Sequence, residues 1–322
     1  MADPEEKRKL KELDIETRLR ESEEKYRLLF ESAYDGILLM DGRIVVDCNQ
    51  RAAQIFGCTM EQLKGASASR FIPPVQPDGR RTRELIAMQE GEVQEGEPRL
   101  MEMVLCRCDG TLFDVEMSIN NITLQGRKMV QVIVRDITER KQMEDWLRYL
   151  NMHDKPTGLY NRDYFEEEMI RLQSGRFDPV GIVVCDLDGL KLVNDNLGHA
   201  AGDHLLATAA HLLVKCFRES DVVARIGGDE FAVLLPNCSQ EVVESACQRI
   251  RDNLQQYRKS EPPIPISMSV GWAVKANANH SMWEIFKEAD NRMYAEKGKN
   301  REDFKKIFAG MVDELRDLDQ RT

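Results

Sequence analysis

Two short acidic stretches carry the residue types from which a reaction could be built. Asp186-Leu187-Asp188 ends the apolar run VGIVVC, and Gly227-Gly228-Asp229-Glu230 separates the apolar runs Val222–Ile226 and Phe231–Leu235. The second reads as a hairpin, and glycine alone would turn it, since glycine takes φ > 0 at no steric cost. Two adjacent carboxylates on the tip therefore ask for a reason. A strand that is apolar at every position is buried on both faces and central in its sheet. A carboxylate at its end, with another on a neighbouring tip, suits a divalent cation, because close carboxylates repel unless a cation lies between them. Mg²⁺ takes oxygen ligands and substrate phosphates, so the chemistry expected is phosphoryl or nucleotidyl transfer by paired ions. Each carboxylate alone reads as an ordinary polar turn or strand end; the pairing carries the expectation.

The elements that must position them alternate. Helix NRDYFEEEMIRL precedes the strand VGIVVCDLD (180–188), and helix HLLATAAHLLVKCF follows. After the hairpin come helix QEVVESACQRIRDNLQQY, strand ISMSVGWAV (266–274) and helix SMWEIFKEADNRMYAEK. This is a βαββαβ order with extra helices, a sheet covered by helices. The first half differs. Residues 5–30 have the charge density of a surface or coiled-coil helix. GILLMD and RIVVDCN, two short helices, and the runs RLMEMVLCRCDG, TLFDVEMSINNI and KMVQVIVRDIT then make a compact α+β domain, with hairpin turns at CDGT and LQGR. Between the halves ERKQMEDWLRYLN is helical, with Met143, Trp146, Leu147 and Leu150 on one stripe that either packs on its own domain or pairs with a second chain.

At 322 residues the chain has room for two domains. Its eight cysteines are scattered without a CxxC, which argues for free thiols rather than a zinc ribbon or a thioredoxin-like site. A formal charge of −11 without a basic patch argues against a nucleic-acid polymer as partner. No apolar run is long enough for a membrane segment, and the charged N-terminus lacks a signal-peptide core, so a cytoplasmic protein is expected.

IGGDEF, preceded by CDLDGLKLVNDNLGHAAGD, resembles the GGDEF-domain diguanylate cyclases over roughly residues 151–305. The resemblance implies an enzyme that condenses two GTP into cyclic di-GMP with release of two pyrophosphates. It implies that Asp186, the carbonyl of Leu187, and Asp229 hold the metal, with Glu230 beside them. Lys191 matches a phosphate-binding lysine, Asn194 and Asp203 the pair that reads the guanine edge, and Lys297 and Arg301 the cations on the terminal phosphates. Asp229, Glu230 and Lys191 are thus the catalytic group. Two Mg²⁺ or Mn²⁺ per site are implied. The active species is a homodimer, since one site holds one GTP and two must face each other. An aspartate accepts from guanine N1–H and N2–H₂, so Asp203 argues for GTP. Arg218-Glu219-Ser220-Asp221 matches the inhibitory product site, with Arg249 reaching it from the next helix. The chain has no GxxxxGK[ST], so the nucleotide is not held by a P-loop. Two departures stand out: Pro156 replaces a leucine in HDKPTGLYNR, where the linker helix meets the cyclase, and YAEKGKNR is compressed near Arg301. The alternative is a non-catalytic module that binds cyclic di-GMP or GTP as a sensor.

SEEKYRLLFESAYDGILLMD, with CRCDGT and the closing VRDITER, resembles a PAS sensor domain. The fold class implied is an antiparallel five-stranded sheet with short helices, linked by a helix to a βαββαβ palm-like sheet. The segments are an N-terminal helix (1–21), the PAS domain (22–139), a helical linker (140–152) and the cyclase (153–322). All five histidines (His153, His199, His204, His211, His280) follow residue 150, which excludes a His-ligated haem in the PAS region. The flavin-adduct cysteine motif is absent, Cys58 and Met60 read as core, and the PAS ligand stays unassigned.

Overall fold

The structure, a computed structural model, describes residues 4–82, 84, 98–124, 126–260 and 262–319, and side chains from 13 to 311 within them except at 299. The chain forms two compact units, Met1–Asp145 and Trp146–Thr322.

In the first, α1 (Pro4–Glu31) leads to β1 (Gly36–Asp41), β2 (Ile44–Cys48), α2 (Gln50–Phe56) and α3 (Met60–Leu63). Then come β3 (Arg99–Cys106), β4 (Leu112–Leu124), β5 (Arg127–Asp136) and the start of α4 (Thr138–Met152). The sheet order is β2-β1-β5-β4-β3, antiparallel throughout. Alternation sets the buried face: Phe113, Val115 and Met117 of β4 point into the core that Phe56 and Phe71 fill from the helices. Asn49 shows why α2 starts where it does. Fully buried, it accepts from the amides of Ile37 and Ala52 and donates to the carbonyls of Phe30 and Asp35, so every polar atom of its carboxamide is satisfied. The closing Asp136-Ile137-Thr138 is similarly tied. Arg107 donates to Asp136 at 2.6 Å, and the Thr138 hydroxyl accepts from the Asp114 amide at 3.1 Å. β3 stops at Cys106, so Cys106 and Cys108 do not share a strand face. All eight cysteines are free thiols.

In the second unit, α5 (Arg162–Leu172), β6 (Val180–Leu187), α6 (Leu190–Leu197), α7 (His199–Val214), β7 (Val222–Arg225) and β8 (Glu230–Leu235) precede α8 (Gln240–Lys259), β9 (Met268–Lys275) and α9 (Met282–Asp319). The order is β7-β8-β6-β9, all pairs antiparallel. β6 is central and buried at every position, as its apolar run predicts. Val183 and Cys185 face Leu205, Leu213, Val243 and Ile250 of α7 and α8, while Ile182 and Val184 face Phe165, Met169, Ile285 and Ala289 of α5 and α9. Helices thus cover both faces. Two details depart from the sequence pattern. α7 starts at His199, ahead of the HLLATAAHLLVKCF run, and ends at Val214, with α6 before it across Gly198 at φ 84°, and α9 runs on past Lys297 through Gly298. Among the described residues no helix is long and apolar enough to cross a membrane.

Candidate active site

The end of β6 brings the two acidic stretches together. Asp186 lies opposite Glu230 of β8 and Ser269 of β9, and the Leu187 amide donates to the Asp229 carbonyl at 2.8 Å. The hairpin tip is thereby fixed beside the strand end. Asp186 is 1% exposed, while Asp229 and Glu230 are half-buried. Asp186 Oδ2 accepts from Lys297 Nζ at 2.5 Å, but its Oδ1 is buried with no hydrogen-bond partner. Burial pushes the carboxyl up to about 6, opposed by the Lys297 ammonium and reinforced by the charge of Asp229. A buried acceptor without a partner costs about 1–3 kcal/mol, more when charged, and a cation supplies what this one lacks. The donors that could hold it are all oxygens: Asp186, Asp229 and the carbonyl of Leu187. Among the described residues no group of three or more His, Cys, Asp or Glu is placed to hold an ion. Water and phosphate oxygens would complete the shell, as Mg²⁺ prefers, so these residues fit that ion.

Asp188 has a different part, which the sequence does not reveal. It is 2% exposed and accepts from the hydroxyls of Ser267 at 2.8 Å and Ser269 at 3.0 Å. Asn300 of α9 in turn donates to Ser269 Oγ and to the Met268 carbonyl. The three elements that carry the site are pinned by one buried polar network. The chain then leaves β6 through Gly189 at φ +81°, where a Cβ would fall 2.1 Å from the Phe304 ring. Only glycine fits there.

Lys191 is exposed in the first turn of α6, and Asn194, one turn on, shares its side of the helix. Asp203 is exposed in the second turn of α7. Lys297 and Arg301 are four residues apart on α9, so they too share a face. Arg301 is exposed, while Lys297 is engaged with Asp186 rather than free for a phosphate. Burial pulls the Lys297 ammonium down, but its bond to Asp186 and the charges of Asp229 and Glu230 outweigh this, leaving its pKa raised.

The hairpin tip has a support that sequence reading misses. Arg225 donates to the Gly227 carbonyl at 3.1 Å and to the Gly228 carbonyl at 2.7 Å, while pairing with Asp154 at 3.0 Å. Asp154 also accepts from Thr157 Oγ1 at 2.6 Å, and its amide donates to the Leu159 carbonyl. Pro156 removes no bond from this turn, whose donors are Asp154, Thr157, Gly158 and Leu159. The turn continues into Tyr160, whose backbone accepts from Arg225 and donates to Val223 along the outer edge of β7. Five rings then stack from the linker helix inwards: Trp146, Tyr149, His153, Tyr160 and Tyr164, with successive centroids 5.6, 4.1, 4.6 and 4.1 Å apart. Arg225→Ala is expected to free the tip, speeding amide exchange at Ile226 and Gly227 about tenfold for the roughly 1.4 kcal/mol of charge-assisted bonding lost. Exchange mass spectrometry checks it; unchanged rates would show the clamp to be idle.

Away from this site, Arg218-Glu219-Ser220-Asp221 forms a tight turn in which the Asp221 carboxylate accepts from the Arg218 amide at 2.9 Å. The Arg218 side chain is exposed. Arg249 of α8 donates to the carbonyl of Cys216, two residues ahead of this turn, at 2.8 Å.

Residues 151–303 match the family described as diguanylate cyclase, GGDEF domain, and residues 35–139 match the PAS domain family. Diguanylate cyclase DgcM of Escherichia coli (strain K12) is 31% identical over 268 residues, 81% of this chain and 63% of that protein. Probable diguanylate cyclase DgcE of the same organism is 38% identical over 203 residues, 61% of this chain and 18% of that protein. The chain thus spans less than two thirds of either relative. Among solved structures, the coiled coil and GGDEF domain of DgcB from Caulobacter crescentus, in complex with c-di-GMP, is 24% identical with a TM-score of 0.46, covering 51% of this chain and 90% of that one. Along the chain, then, a segment that matches the PAS domain family stands ahead of one that matches the GGDEF domain family.

Proposed function

We propose that the chain condenses two GTP molecules into cyclic di-GMP. The observation that supports this most is the buried, unpartnered Oδ1 of Asp186 beside Asp229 on an intact GGDEF tip. In each of two steps the 3′-oxygen of one GTP bonds to the α-phosphorus of the other. The bond to the pyrophosphate oxygen breaks, and the hydroxyl proton is released. Two Mg²⁺ or Mn²⁺ ions, when bound, would polarise the α-phosphate and favour the ionised 3′-oxygen. Asp186, Asp229 and the Leu187 carbonyl would hold those ions, with Glu230 at the tip turning its charge toward the same cluster. Lys191 and Arg301 would orient the phosphates, and Lys297 would exchange Asp186 for a phosphate oxygen as substrate arrives. Asn194 and Asp203 would read the guanine, since buried polar edges left unpaired penalise the wrong base.

One site holds one GTP, so the active form is a homodimer with two sites facing about a two-fold axis. Residues 22–139 form the sensing domain, 140–152 the linker and 153–322 the cyclase. Arg218, Asp221 and Arg249 form a product-binding site that slows the enzyme. GTP as substrate places the protein in the cytoplasm.

The test is incubation with GTP and Mg²⁺ across a dilution series, following products by mass. Cyclic di-GMP forms, with a rate per chain that falls on dilution. GTP left intact at every concentration, after bound product is stripped, would refute the reading. Arg218→Ala is expected to raise the product plateau at least about fivefold, the low end of coupling between linked sites. An unchanged plateau would remove the inhibitory role.

A further inference from the structure

Gly202 is buried in the second turn of α7, among Ala200, Ala201, Ala207, Ala209 and Ala210. Its backbone is not in the left-handed region, so the conformation does not call for glycine. Within a helix glycine costs about 1 kcal/mol relative to alanine. Its use here therefore needs a steric reason, and the neighbouring helix supplies one. A Cβ at 202 would lie 1.9 Å from Asn194 Oδ1, 2.8 Å from Cγ and 3.3 Å from Nδ2. The carboxamide of Asn194 rests on the bare Cα of Gly202. Main-chain bonds from Gly198 to the Asn194 carbonyl (3.0 Å) and from Gly202 to the Gly198 carbonyl (3.3 Å) hold the two helices in that relation. Asn194 Oδ1 is buried and has no hydrogen-bond partner, which is the state of a group kept for something else. Asp203, next in sequence, is exposed.

We infer that Gly202 is a positioning residue for base recognition: the space of its missing side chain seats the Asn194 carboxamide at a fixed place beside Asp203. This rests on the reading above in which Asn194 and Asp203 meet the guanine. A methyl group at 202 displaces the far end of a flexible side chain rather than backbone, so the helices keep their packing while the amide swings away. Alanine also favours the helix. Recognition and stability are thereby separated.

The experiment measures KM and kcat for GTP, with melting temperatures, for the wild type, Gly202→Ala, Asn194→Ala and the double variant. Gly202→Ala raises KM about tenfold, the value of one hydrogen bond to substrate, with kcat within about twofold and no fall in melting temperature. In the double variant KM equals that of Asn194→Ala alone, because the seat has nothing left to hold. An unchanged KM, or a factor that multiplies in full on Asn194→Ala, overturns the inference. So does a Gly202→Ala domain that melts lower and is not restored by Asn194→Ala. Calorimetry of the wild type with a non-hydrolysable GTP analogue and Mg²⁺ tells the two levels apart. Absence of binding and turnover sinks the site reading itself and this inference with it, whereas normal wild-type behaviour with uncoupled variants sinks this inference alone.

Discussion

Asp229→Ala is expected to make no measurable cyclic di-GMP, a fall in rate on the order of 10³-fold or more, since charge stabilisation at the reacting phosphate is the largest single contribution in such chemistry. The variant is nonetheless expected to fold. Asp229 is half-buried on a hairpin tip whose backbone bonds, from Leu187 to its carbonyl and from Ile226 to the Glu230 carbonyl, do not depend on its side chain. Its charge also presses on the buried Asp186, so removing it relieves repulsion. The melting temperature is expected to hold or rise slightly, the usual sign of a site where function is kept at the expense of stability. Product assays by mass with thermal melts check both halves. More than a few per cent of wild-type rate would remove Asp229 from the reaction, and a large drop in melting temperature would make it a structural residue.

The largest effect on stability is expected at the other end of the sheet. Lys275 is fully buried on β9 and pairs with Asp178 at 2.6 Å. Asp178→Ala leaves that ammonium without its counter-charge, at about 3–5 kcal/mol, measured as a shift in the urea midpoint. Adding Lys275→Met should recover most of this, since no buried charge then remains. Lys275 lies opposite Val180 and Met268 opposite Leu187, so about 23 Å of strand separates the pair from the catalytic end. Turnover per folded molecule is expected to be unchanged. A loss under about 1 kcal/mol would mean that water reaches Lys275 once Asp178 is gone.

These two predictions differ in how much of each was legible. Asp229 could be found because a hairpin of two apolar runs has no structural use for a doubly acidic tip. β6 could be found because burial on both faces erases the alternation that other strands show, and the five strands of the first unit because turn residues separate them. Strand order was not legible. Nothing near Asp186 says that Ser269 lies opposite it, and nothing near Asp188 says that two serines of β9 will satisfy its carboxylate. The same holds for Arg225 and Asp154, and for Lys297 and Asp186: the partners are far apart in sequence, and each residue alone looks like a solvated charge. The last helix reads from sequence as SMWEIFKEADNRMYAEK, ending at Lys297, but α9 continues through Gly298. Gly202 was visible only as part of a family pattern; its steric use needs the position of Asn194.

The pairing of Tyr160 with β7 also bears on how the cyclase domain meets other molecules. β7 is a short edge strand, and an edge with open amides and carbonyls is a template on which a second chain can add a strand. Here Val223 and Arg225, the outward-facing pair, have already given their carbonyl and amide to Tyr160. The HDKPTGLY segment thus acts as a selvage at that point of the sheet, where Tyr160 occupies one carbonyl and one amide that an added strand would need.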